Sequence, residues 1–150
     1  MEHPFYDFRI LDDAFRYDFK SVGKIVINKT IIYQKTSIEN FYSLSMGDLL
    51  SDGTLDFETR SNNGDRDTIL ATIIKTLQKF LEQYPESYVG FTGSSPARTR
   101  TYQILINKEL NEISKKFVVE GYDSNGLEEF TINKNYEGFV ISLKKNTFDT

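Results

Sequence analysis

The sequence predicts an α+β domain on a mixed, mostly antiparallel sheet, with its elements in the order ββββ-α-β-α-ββ. Apolar and polar residues alternate from Phe15 onward, two later stretches carry apolar residues at helical spacing, and a short run of β formers separates those two stretches. The 150 residues suffice for one continuous core and leave no length for another, so the chain reads as a single domain over 1–150.

In the first half, Phe15, Tyr17 and Phe19 alternate with Arg16, Asp18 and Lys20, and Ile25, Ile27, Ile31 and Tyr33 share one parity beyond Gly23. Phe41 to Leu50 and Leu55 to Thr59 extend this meander, joined by the hairpin turn Ser51-Asp52-Gly53. Ser61-Asn62-Asn63-Gly64-Asp65 then gathers turn formers that stop the sheet and cap a helix. That helix carries Ile69, Leu70, Ile73, Leu77, Phe80 and Leu81 on one stripe, a pattern of core packing, and Pro85 ends it.

Ser87 to Thr92 reads as a central strand, entered by a crossover through the helix. Ser95 caps a second helix with Pro96 in its first turn, where the missing N–H costs nothing. This helix runs to about Lys116 on a stripe of Tyr102, Leu105, Ile106, Leu110 and Ile113. Phe117 to Tyr122, Leu127 to Ile132 and Tyr136 to Leu143 close the sheet, while 1–13 and 144–150 read as poorly ordered ends.

Composition removes several function classes. The absence of cysteine excludes disulfides, thiolate zinc sites and cysteine nucleophiles, and the single His3 excludes a histidine triad or a multi-histidine metal site. A net charge of −4 opposes the clustered cations that duplex nucleic acid needs. MEHPFYDF lacks the basic and apolar regions of a secretory signal, and no apolar run has the length of a membrane span, so a cytoplasmic protein without membrane contact is expected. The Asn-Asn-Gly-Asp turn lacks the ligand spacing of a calcium loop, and no metal is expected there.

Two stretches carry the candidate chemistry. In GFTGSSPARTRTY, Ser94, Ser95, Arg98 and Arg100 gather hydroxyls and guanidinium groups at a helix start, a combination suited to a small anion. In SNNGD, Asn63 and Gly64 offer an amide and free backbone N–H groups to the same kind of ligand. A competing account pairs Asp65 with Arg98, which stacks one helical turn from Tyr102 and leans toward the sheet while Arg100 points elsewhere. A third reading places single-stranded nucleic acid on Tyr17 and Tyr33 beside Lys20, Lys24, Lys29 and Lys35.

From about residue 40 to 143, the element order and the stretch Arg100-Thr101-Tyr102 resemble the GNAT acetyltransferase superfamily and its Arg-Leu-Tyr. The resemblance implies a loop at Arg60 to Arg66 that binds the pyrophosphate of acetyl-CoA, and Tyr102 as the acid that protonates the departing thiolate. The sequence departs from that family's pattern where RSNNGDR offers Gly64 alone with Asp65 beside it, and where Arg98 replaces the usual alanine. SNNGDRDTILAT and GSSPARTRTY are also similar, over nearly the whole chain, to an uncharacterised bacterial family with SNNGD and GS-[ST]-PARTRLY stretches.

These readings lead to a non-catalytic binding or interaction module with an acetyltransferase-like sheet, a small anionic ligand or a protein partner, and no resident cofactor. The alternative is a CoA-binding N-acetyltransferase-like enzyme, with CoA or acetyl-CoA bound and Tyr102 catalytic; the single-strand binder stands third. Open edge strands admit pairing into a homodimer.

Overall fold

The computed structural model describes residues 4–57, 62–92 and 95–145. Over these described residues it is α+β, with nine strands and two α-helices: β1 Phe8–Leu11, β2 Arg16–Val22, β3 Val26–Lys35, β4 Phe41–Leu49, β5 Leu55–Asp56, α1 Arg66–Gln83, β6 Tyr88–Phe91, α2 Pro96–Ile113, β7 Phe117–Asp123, β8 Gly126–Glu129 and β9 Gly138–Leu143. The strands lie in one sheet in the order β1-β2-β3-β4-β6-β9-β7-β8, with β5 added beside β4. Every pairing is antiparallel except that of β4 with β6.

Several boundaries differ from the sequence reading. The stretch 1–13 contains a real edge strand, because Phe8 to Leu11 pair with Phe19 to Arg16 of β2 and Phe8 packs edge-on against Tyr17. A second strand stops at Glu129 rather than Ile132, and α2 stops at Ile113 rather than Lys116. Lys144 is tied to the fold, its N–H donating to the Lys116 carbonyl at 2.9 Å.

Both helices pack on one face of the sheet. The even-numbered residues of β4 face α1, as Tyr42 shows by its edge contact with Phe80 at 5.2 Å. Tyr33 of β3 stacks on the same Phe80 at 4.3 Å, and its hydroxyl shares a 2.9 Å hydrogen bond with Thr76. On the other side of β6, Phe91 meets Tyr102 of α2 at 5.9 Å. The core therefore sits between the sheet and the two helices, with aromatic rings at its centre.

Tyr17 and Tyr33 lie at that centre, 0% and 2% exposed, so neither offers a platform for nucleic-acid bases. Lys29 is buried as well, paired with Asp48 at 2.6 Å. Burial raises both phenols above their ordinary value near 10, Tyr33 most strongly. A folded-state value above the unfolded one means that the stabilisation is complete below pH about 10 and is lost as pH rises toward the folded values. We expect the urea midpoint to fall steeply above pH about 10, with these tyrosines ionising only as the chain unfolds. Ultraviolet phenolate absorbance checks this; all tyrosines ionising at ordinary pH in the intact fold would contradict it.

Among the described residues no helix is long and apolar enough to cross a membrane, and no group of three or more His, Cys, Asp or Glu side chains is gathered as for a metal ion.

Candidate functional site

Strands β4 and β6 pair only through Phe41↔Tyr88, Tyr42↔Val89 and Ser43↔Gly90, after which they separate. Beyond Ser43, the next pairing on this edge of β4 among the described residues is with β5, at Asp48 and Leu49. Backbone direction alternates along a strand. The Asn40 carbonyl accepts from Tyr88 N–H on this edge and Leu50 N–H donates to Thr54 on it, so the even-numbered Met46 also directs its N–H and carbonyl into the gap. A wedge-shaped opening thus splits the middle of the sheet between β4 and β6.

The opening leads into two adjoining cavities that share Met46, Phe57, Arg98 and Tyr102. The larger, about 550 Å³, is mainly apolar and includes Phe41, Phe91, Tyr122 and Val140. The smaller, about 230 Å³, lies under the amino ends of α1 and α2 and is polar, with the Lys29–Asp48 pair, Asp56, Asn63, Gly64 and Arg66 in its wall. Both volumes together suit a small molecule, whose sites typically span about 300–1,000 Å³.

Arg98 and Tyr102 stand where the two cavities meet. Among the described residues the Tyr102 hydroxyl has no hydrogen-bond partner. Burial pushes its phenol above the ordinary value, and the Arg98 charge pulls it part of the way back. Tyr102 is therefore a protonated donor at neutral pH, able to give a hydrogen bond or a proton to a group in the cleft.

The loop before α1 is built differently from the anion cradle that its composition suggests. Asn63 is 5% exposed and its side chain is spent on the β2–β3 hairpin: Nδ2 donates to Ser21 Oγ at 2.9 Å and to the Ile25 carbonyl at 2.8 Å, and Oδ1 accepts from Ile25 N–H at 2.9 Å. Gly23 passes so close that a Cβ there would strike the Asn63 carbonyl. Asp65 does not pair with Arg98; its carboxylate accepts from Tyr6 and from Ser21, each at 2.5 Å. Gly64 holds the left-handed φ of 81° that turns the chain into α1. Because Asp65 is engaged elsewhere, its side chain does not cap the first turn of α1.

At the second stretch, Ser95 is the cap of α2, accepting from Arg98 N–H at 3.3 Å. Its replacement, Ser95→Ala, is expected to cost about 1 kcal/mol, measured by urea denaturation; an unchanged midpoint would contradict the cap. Arg98 and Arg100 part company. Arg98 lines the central cleft, while Arg100 lines a separate cavity with Ser95, Gln103 and Tyr136, so the two guanidinium groups serve different sides of α2. Ser94, Arg60 and Ser61 lie outside the described residues. The structure thus joins Asn63, Gly64, Arg98 and Tyr102 around one cleft and separates Ser95 and Arg100 from them.

Sequence reasoning missed the walls of the larger cavity: Phe41, Met46, Phe57 and Tyr122. The available signal was glycine inside strands, at Gly47, Gly90 and Gly138, since such a glycine marks close approach of another group.

Searches of curated proteins and of solved structures give no match. Residues 2–144 match the model of a family of unknown function, DUF6934, and the chain belongs to that family.

Proposed function

We propose that the protein is a binding module whose split sheet holds an extended anionic ligand of the coenzyme A type, in an acetyltransferase-like arrangement. The observation that carries this reading is the gap between β4 and β6, which separate after Ser43 and Gly90 beside two cavities that share Met46, Arg98 and Tyr102. An extended chain bearing amides suits such a gap, since it can run along a strand wall as an added strand does. The first turn of α1, which the Asp65 side chain does not cap, and the half-buried Arg98 favour negative charge at the polar end. The charge on Asp65 opposes an anion less than its position in the sequence suggests, because Tyr6 and Ser21 donate to it.

Acyl transfer is the second reading, and Tyr102 is the observation in its favour: a protonated phenol at the junction of the cavities is placed to protonate a departing thiolate. Calorimetric titration with CoA and acetyl-CoA tests both. Saturable binding weakened about tenfold or more by Arg98→Ala is the expected result, on the usual size of a charge-assisted hydrogen bond. Tyr102→Phe should leave CoA bound and, under the second reading alone, abolish acetyl release to amine acceptors. Absence of binding by either ligand would overturn the reading.

A further inference from the structure

The larger cavity passes through the sheet and opens on the face that carries neither helix. Since Tyr42, Leu44 and Met46 face α1, alternation turns Phe41, Ser43, Ser45 and Gly47 the other way. On that side three neighbouring strands each present a glycine beneath an aromatic side chain: Gly47 of β4 under Phe57, Gly90 of β6 under Phe41, and Gly138 of β9 under Tyr122. A Cβ at any of the three would come closer than 3.0 Å to that ring or its hydroxyl. The glycines let the rings lie flat around the mouth, and Leu127 and Val140 complete it.

The chemistry of this mouth differs from that of the inner cavity. Arg98, at the inner end, is the sole charged residue among the described lining of the larger cavity, whereas the smaller one contains three aspartates and three cations. An ionised group at the mouth would lose hydration without a partner. An apolar group would exchange water for ring faces, and Leu127, 53% exposed, and Phe57, 38% exposed, would be covered by it.

We infer that this mouth is a subsite for an uncharged apolar group, an aromatic ring or a short aliphatic chain carried as the acyl end of the ligand. The inference rests on the coenzyme A reading and sharpens it: aryl or medium-chain acyl thioesters are the ligand class, rather than the acetyl ester. An acetyl group fills little of about 550 Å³, and each further buried methylene adds roughly threefold to fourfold in affinity.

The test is calorimetric titration with CoA, acetyl-CoA, hexanoyl-CoA and phenylacetyl-CoA. The two larger esters are expected to bind at least about tenfold more tightly than acetyl-CoA. That ratio should collapse toward one in Leu127→Asp and survive in Leu127→Met. Equal affinities in the natural protein, or a ratio that persists in Leu127→Asp, overturn the inference even where CoA itself binds. Should no CoA species bind, the mouth is read alone with neutral N-benzylacetamide by nuclear magnetic resonance. Saturable shifts at Tyr122, Leu127 and Val140, lost in Leu127→Asp, support the subsite and leave the coenzyme A reading to fall by itself; no shifts overturn the subsite too.

Discussion

Phe80→Ala is expected to destabilise the protein by about 3–5 kcal/mol, the usual cost of removing a large buried ring. Phe80 is 0% exposed, stacks on Tyr33 at 4.3 Å and meets Phe15, Tyr42 and Tyr84 at 5.6, 5.2 and 5.1 Å. The four partners come from the turn before β2, from β3, from β4 and from the end of α1. No single partner can collapse into the space, so a cavity remains. The urea midpoint measures the loss, and a cost below about 1.5 kcal/mol, typical of volume-conserving changes, would show that the cluster is not the centre of the core.

Asn63→Ala is expected to cost on the order of 1–3 kcal/mol, because it removes three hydrogen bonds and leaves the Ile25 N–H without a partner, while the Ser21 hydroxyl keeps Asp65 and the Ile25 carbonyl keeps the Gly23 N–H. The size of this effect separates two roles. A residue held ready for a ligand would cost little stability when removed, whereas a strut between the β2–β3 hairpin and α1 costs what its hydrogen bonds contribute. Asn63→Ala with an unchanged melting temperature would return Asn63 to the list of ligand contacts.

The elements with one apolar face were legible. Leu70, Ile73, Leu77, Phe80 and Leu81 are all buried on α1, because a helix that packs on a sheet must place its apolar residues at helical spacing. The cap at Ser95 was also legible, since the serine and the following proline act within their own turn. Strand β1 was not: its Ile10 is 50% exposed, and an edge strand that buries little carries a weak pattern. Nor was the turn at Asp12, Asp13 and Ala14, which take φ of 54°, 57° and 71° without a glycine. That turn costs about 1–2 kcal/mol per residue and is held from outside, by Tyr84 Oη and Gln83 Nε2 donating to the Asp13 carbonyl at 2.7 and 3.3 Å.

For the site, the sequence showed chemistry but not direction. The polar residues of SNNGD point to anion binding by type, yet burial turns Asn63 and Asp65 toward Ser21, Ile25 and Tyr6, partners more than 35 residues away along the chain. The cleft itself arises where two strands diverge after Ser43 and Gly90. Divergence is a tertiary property, set by how β5 and the helices pack, and no local spacing encodes it.

Hydrogen exchange at the Met46 amide, with and without CoA, tests the central claim most directly. The account predicts marked slowing when the ligand chain lies along β4, since the Met46 N–H is directed into the gap. Binding that leaves Met46 exchange unchanged would contradict a ligand lying in the split sheet.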